Sequence, residues 1–139
     1  MDKALNYLSL ARKAGKAELG EEPAGAAARA LHAHLIVVAR DASDHTWRRA
    51  KSYAAGTDQQ CVRLPYTKDE IGMAIGRTSL AIAAITDAAL ALALVQSLPN
   101  TEKHADVIAV LTEKAQKQRK RQSEAKAHLR NQRSGKKKN

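Results

Sequence analysis

The chain has 139 residues, with 24 Lys/Arg against 14 Asp/Glu, a formal charge of +10 and a pI near 10.0. That length suits one domain with a core plus an appendage, and that charge points to a polyanionic partner, nucleic acid ahead of an anionic membrane surface. One cysteine, Cys61, excludes an intrachain disulfide framework, and with no Phe the core must be built from Ala, Leu, Ile and Val.

Asp2–Ala14 reads as a helix with Ala4, Leu5, Leu8 and Ala11 on one face and Gly15 as its stop. Ala17–Leu19 is a marginal strand. Gly20 opens a second helix, roughly Glu21–Ala33, whose acidic first turn suits the positive helix end and whose Pro23 is tolerable there. Leu35–Ala39 is an apolar β-branched run, the mark of a central strand. Asp41–Asp44 is a turn and cap, His45–Ala55 a helix closed by Gly56, and Cys61–Leu64 a further strand in which Cys61 is a buried thiol. Thr67 and Glu70 form a capping box before a helix over Lys68–Ile75, which Gly76 ends by adopting positive φ. Leu80–Ile85 is another central strand, and Asp87 caps the helix Ala88–Leu98.

Strands alternating with helices predict an α/β sandwich around a small, largely buried sheet. Pro99-Asn100 breaks the pattern, so the expected domain is 1–98 and the expected basic tail is 99–139, partly helical or disordered. The charge divides the same way. Residues 1–99 hold 12 Lys/Arg and 10 Asp/Glu, while residues 100–139 hold 12 and 4, so the tail carries most of the excess. Val107, Val110, Leu111 and Ala115 give a short stripe able to dock a helix. From Glu113 no apolar stripe continues, and disorder is expected until a polyanion binds.

The N-terminal residues lack a signal-peptide apolar core. The apolar stretch Leu80–Val95 falls short of the ~20 residues a span needs and is interrupted by Asp87. A cytoplasmic protein without a membrane partner is expected.

Two constellations can carry binding. Gly20-Glu21-Glu22 starts a helix after the basic residues Arg12, Lys13 and Lys16, where free N–H groups can cradle a phosphate. Arg77-Thr78-Ser79 offers a guanidinium and two hydroxyls on a tight loop, able to contact phosphate or splayed bases. Each also reads as an ordinary helix start and an ordinary solvated connection. His32 and His34 lack a completing Cys or carboxylate cluster, so no metal is expected. No nucleophile–base spacing, phosphate loop or dinucleotide fingerprint is present in the sequence, so neither catalysis, a cofactor nor a small-molecule substrate is expected.

The segments LSLARKAGK (8–16), GEE (20–22), LIVVARDASD (35–44) and DEIGMAIGRTSLAIAAITD (69–87) fall in one order. Together, over about residues 4–95, they resemble the kink-turn-binding ribosomal protein superfamily, in particular its small bacterial YlxQ-like branch. The resemblance implies a three-layer α/β/α sandwich around a mixed sheet. It also implies a non-enzymatic, monomeric protein that binds kinked RNA stems with tandem sheared G·A pairs, ribosomal RNA and the ribosome included. The implied contacts are Gly20, Glu21 and Glu22 at the second helix and the loop Ile75, Gly76, Arg77, Thr78 and Ser79, with Lys16, Arg29 and Arg77 facing phosphates. The best-known kink-turn binders carry Gly-x-Asn-Glu and a Lys one helical turn later; here Glu22, Pro23 and Ala26 stand at the Asn, Glu and Lys positions. That departure shifts expected contact onto Arg77-Thr78-Ser79. Two other readings are a protein-interaction module whose tail alone meets nucleic acid, and a relative of the substrate-recognition domain beside RNA methyltransferases.

Overall fold

The computed structural model describes residues 2–138, and side chains over 2–132. Ten regular elements follow one another: α1 (Lys3–Lys13), β1 (Ala17–Leu19), α2 (Glu21–Arg29), β2 (Leu35–Val38), α3 (Asp44–Ala54), β3 (Gln60–Arg63), α4 (Lys68–Ala74), β4 (Ile82–Ile85), α5 (Ala88–Gln96) and α6 (Ala105–Lys138). A single 3-10 turn, Thr101–His104, joins the last two. The strands form one mixed sheet in the order β1-β4-β2-β3, with β2–β3 parallel and both partners of β4 antiparallel.

Period-two alternation along the central strands splits the core. Leu35, Val37, Ala83 and Ile85 face one side with Leu5, Leu8, Leu94 and Leu111. Ile36, Val38, Ile82 and Ala84 face the other with Ala24, Ala27, Ala28 and Ala50. Helices α2 and α3 cover the second face and α1, α4, α5 and α6 the first. This is the expected α/β/α sandwich. The alanine-rich second face lets α2 lie close to the sheet, with Trp47 and Tyr53 packed at the side of this layer.

The local signals hold. Thr67 Oγ1 accepts the Glu70 N–H at 3.1 Å while the Glu70 carboxylate accepts the Thr67 N–H at 3.2 Å, closing the capping box. Asp87 accepts the Leu90 N–H at 2.9 Å, and Gly76 has φ 77°.

Two expectations differ from the structure. The second helix ends at Arg29 rather than Ala33, because Leu31 turns left-handed at φ 61°. The buried side chain of Gln59 then takes over, accepting the Ala33 N–H at 3.1 Å and donating to the Ala28 carbonyl at 3.1 Å. It supplies partners to both the frayed helix end and the following chain, so the turn need not be helical.

The disorder expected from Glu113 is replaced by a helix continuous over Ala105–Lys138. Its first turns are anchored: Leu111 and Ala115 are buried in the core, with Val107 and Ile108 packed against it. Gln118 then accepts the Ala88 N–H at 2.8 Å and donates to Asp87 at 2.9 Å, and Lys114 pairs with Asp58 at 3.2 Å. Beyond Gln118 the segment is rich in Ala, Lys, Arg and Gln, good helix formers that extend a helix already nucleated.

Candidate functional site

The central strand β4 organises the candidate residues. At its start, the Gly20 N–H donates to the Ile82 carbonyl at 2.9 Å, because β1 and β4 pair antiparallel with Leu19 opposite Ala83. The beginning of α2 therefore sits beside the base of the loop that leads into β4. Gly20 has φ 98°, a left-handed value that turns the chain sharply from strand into helix and that side-chain-bearing residues rarely adopt.

The loop is held from several directions. The Arg77 N–H donates to the Gly72 carbonyl at 2.8 Å, and the Leu80 N–H donates to the Lys68 carbonyl at 2.9 Å. Lys68 in turn gives its N–H to Asp41 at 2.8 Å, tying the β2–α3 loop to the start of α4. Gly76, Arg77, Thr78 and Ser79 are all exposed on this frame. Ile75 is not: its side chain is 2% exposed and belongs to the core, so it positions the loop from beneath.

Glu21 accepts from Arg49 of α3 at 2.8 Å, which leaves Glu22 as the carboxylate without a salt bridge among the described residues at this helix start. Both partners are about half exposed, so the pair stabilises by roughly 0–1 kcal/mol and yields readily to a competing ligand. Glu21, Glu22, Arg29, Arg49 and Tyr53 line an open groove between α2 and α3 of about 520 Å³. Arg29 joins the site along this groove rather than at the loop.

Lys16 does not join it. Its carbonyl accepts the Thr86 N–H at 2.8 Å, at the far end of β4. Thr86 is four residue steps from Ile82, roughly 13 Å at 3.3 Å per residue. The loop end instead carries the exposed cations Arg40, Lys68 and Arg77, with Arg49 alongside. Sequence reasoning missed Arg40, Lys68 and Arg49 because tertiary contacts between distant segments place them: Ala39 beside Ala81, Lys68 bonded to Leu80, and Arg49 paired with Glu21. It also missed Gly72, whose place in mid-helix was the available signal.

Cys61 and His34 lie outside this surface. Burial pushes the Cys61 thiol up to about 12, against smaller opposite pulls from Lys51 and Arg63. Burial also lowers the His34 pKa, aided by Lys114. Among the described residues no three His, Cys, Asp or Glu side chains cluster as a metal site, and no helix is long and apolar enough to cross a membrane.

Comparison with known proteins adds to this geometry. No protein-family model matches the chain. A protein of Enterococcus faecium named RNA-binding protein YlxQ is 36% identical over 75 residues, covering 54% of this chain and 72% of that protein. A solved protein of unknown function from Bacillus halodurans C superposes with a TM-score of 0.65 at 23% identity, over 70% of this chain and 97% of the other. The 15.5kD RNA binding protein of Giardia lamblia superposes with a TM-score of 0.60 at 17% identity, over 73% and 86%. The two structural likenesses speak for the sandwich fold.

Proposed function

Because the chain belongs to the YlxQ family, we propose that it is a non-enzymatic RNA-binding protein reading a kinked, structured RNA, on the ribosome or in another ribonucleoprotein. The observation that carries the reading is the 2.9 Å bond from Gly20 to Ile82, which brings an acidic helix start and the Arg77 loop to one end of the sheet. Each half alone is ordinary; side by side they offer complementary chemistry. Glu22 can accept from the N–H donors of an exposed guanine edge, while Arg77, Thr78 and Ser79 take the flanking phosphates. Arg40 and Lys68 supply cationic contact that the Ala26 position lacks. Pro23 costs one N–H at the helix start, and Gly20 and the loop backbone carry more of the recognition.

The experiment is a binding titration of the full chain against a kinked stem with tandem sheared G·A pairs and a regular stem of equal length. A preference for the kinked stem is expected, and Arg77→Glu weakens it by about tenfold or more, since a repulsive charge replaces a charge-assisted hydrogen bond. Equal affinity for both stems, insensitive to Arg77→Glu, overturns the reading. That second outcome favours a protein-interaction module, for which the 81%-exposed Met73, beside Asp2, Leu5 and Tyr66, is the specific support.

A further inference from the structure

The Arg77 loop and the basic outer half of α6 lie at opposite ends of the sheet. The Gly20 helix start and the Arg77 loop stand where β4 begins, at Ile82. Helix α6 passes the other end. Lys114 pairs with Asp58, just before Gln60, which lies opposite Leu35, itself opposite Ile85 at the close of β4. Gln118 caps α5 at Ala88, directly after β4. From Leu111 in the core to Gln118 at this rim the helix axis therefore points away from the loop. The helix from Arg119 to Lys138 continues outward, and at 1.5 Å per residue it is about 30 Å long.

This outer half is built for phosphates. Residues 119–139 hold nine Lys/Arg and one acidic residue, Glu124. The side chains from Arg119 to Gln132 are all exposed, and none is Phe, Tyr or Trp. Leu129 is the one large hydrophobic among them, so there is no apolar face to enter a bilayer. An extended cationic helix whose charges are spread along its length matches the phosphate backbone of a helical nucleic acid.

Resting on the RNA-binding reading above, we infer that the chain bridges two RNA segments, a kinked stem at the β4-start end and a regular duplex along the outer half of α6. One stem seated on the Arg77 loop cannot also lie along α6 without doubling back past the whole sheet. The arm therefore serves a second helix, in the same RNA or in another molecule.

A capture assay tests this with the full chain. A kinked stem is fixed on beads and a dye-labelled plain duplex is offered in solution. The proteins are the native chain, Arg77→Glu, and a fourfold variant with Arg119→Gln, Lys120→Gln, Lys126→Gln and Arg130→Gln, which keeps helix formers at exposed positions. The native chain is expected to hold the duplex on the beads in a 1:1:1 complex. The fourfold variant keeps the stem and loses duplex capture by about tenfold or more, with its circular dichroism unchanged. Arg77→Glu binds the duplex yet fails to load on the stem. A native chain that saturates the stem and captures no duplex, with the fourfold variant weakened toward the stem itself, overturns the bridging inference while leaving the loop site standing. Stem binding that survives Arg77→Glu overturns the loop site and the bridge together. Tighter binding to anionic phosphatidylserine vesicles than to the duplex, lost in the fourfold variant, assigns the arm to membranes and also overturns the inference.

Discussion

Gly72 of α4 and Ser79 of the following loop meet backbone to backbone: a Cβ on Gly72 would lie 2.6 Å from the Ser79 Cα and 2.7 Å from its nitrogen. Real Cβ atoms do not approach so closely, and a backbone cannot step aside as a side-chain tip can. The loop thus rests directly on the helix, and the absent side chain sets where Arg77 and Thr78 are displayed.

Gly72→Ala is expected to destabilise by about 1–3 kcal/mol, the usual cost of overpacking, and to weaken binding at the loop. Helix propensity alone favours the alanine by about 1 kcal/mol, so the sign of the measured change decides between the two effects. Gly25→Ala in α2 is the control. Its Cβ would meet the Tyr53 hydroxyl at 2.8 Å and an Arg29 nitrogen at 3.1 Å, both ends of side chains able to swing away. That variant is expected to be neutral or up to about 1 kcal/mol more stable. Thermal melts in which Gly72→Ala is the stabler of the two would sink the close-approach account.

The anchored part of α6 is expected to be inseparable from the fold. Leu111→Ala removes a fully buried side chain and costs about 2–5 kcal/mol. Gln118→Ala leaves the Ala88 N–H without its side-chain partner and costs about 1 kcal/mol. A chain stopped at residue 100 loses cooperative unfolding, while one stopped after Ser123 keeps its melting temperature within a few degrees, about the shift that 0.5 kcal/mol gives in a domain of this size. Thermal melts of these four proteins check the ordering. An unaltered melt for the chain ending at 100 means that α6 contributes nothing to the core.

The half-buried His34 makes stability depend on pH. Burial, with Lys114 and Arg121, disfavours its charged form, and the attraction of Asp87 and Asp58 only partly offsets this. Its Nδ1 is buried without a hydrogen-bond partner among the described residues. The folded pKa is below the ordinary value of 6.5, so the unfolded chain takes up the proton first. This contribution is complete above pH 6.5 and is lost as pH falls through that value toward the folded pKa. His34→Gln is expected to flatten the melting-temperature profile between pH 7 and 5, and an identical slope in both proteins rejects the assignment.

Cys61 is expected to be unreactive in the native state. With its thiol pushed up to about 12, almost no thiolate is present at pH 8. Labelling by a disulfide reagent should run more than about tenfold slower in buffer than in denaturant. Equal rates would mean that the α2–α3 layer opens freely around it.

What the sequence disclosed follows from the range of each interaction. The Thr67–Glu70 box, the Asp87 cap and the turn at Gly76 are closed by residues three or four apart, and all were legible. So was the fold, because the unbroken apolar runs Leu35–Ala39 and Leu80–Ile85, set between helical segments, need no partner to be seen. The juxtaposition of Gly20 with the loop was foreseen only through family resemblance, since the β1–β4 pairing that makes it joins distant segments. Lys16 illustrates the converse. It lies four residues before Gly20 in the chain, yet the intervening strand carries it to the opposite rim. The early stop of α2 depends on Gln59, thirty residues beyond the helix, and a single polar side chain in a strand-bounding turn gives no warning of burial. The order of α6 beyond Glu113 was not legible because no apolar stripe continues there, whereas the buried Leu111 and Ala115 and the Gln118 bonds to Ala88 and Asp87 anchor the helix that extends past them.

That last feature gives the molecule two lifetimes. Up to Gln118, α6 opens only when the core does, so its amides should exchange with solvent at the rate of global unfolding. Past Gln118 each turn is held by its own hydrogen bonds alone and frays turn by turn. A trypsin-like protease, which cuts after Lys and Arg, therefore meets the arm long before it meets the body. One such cut after Arg119 removes eight of the chain's 24 cations and leaves the fold untouched.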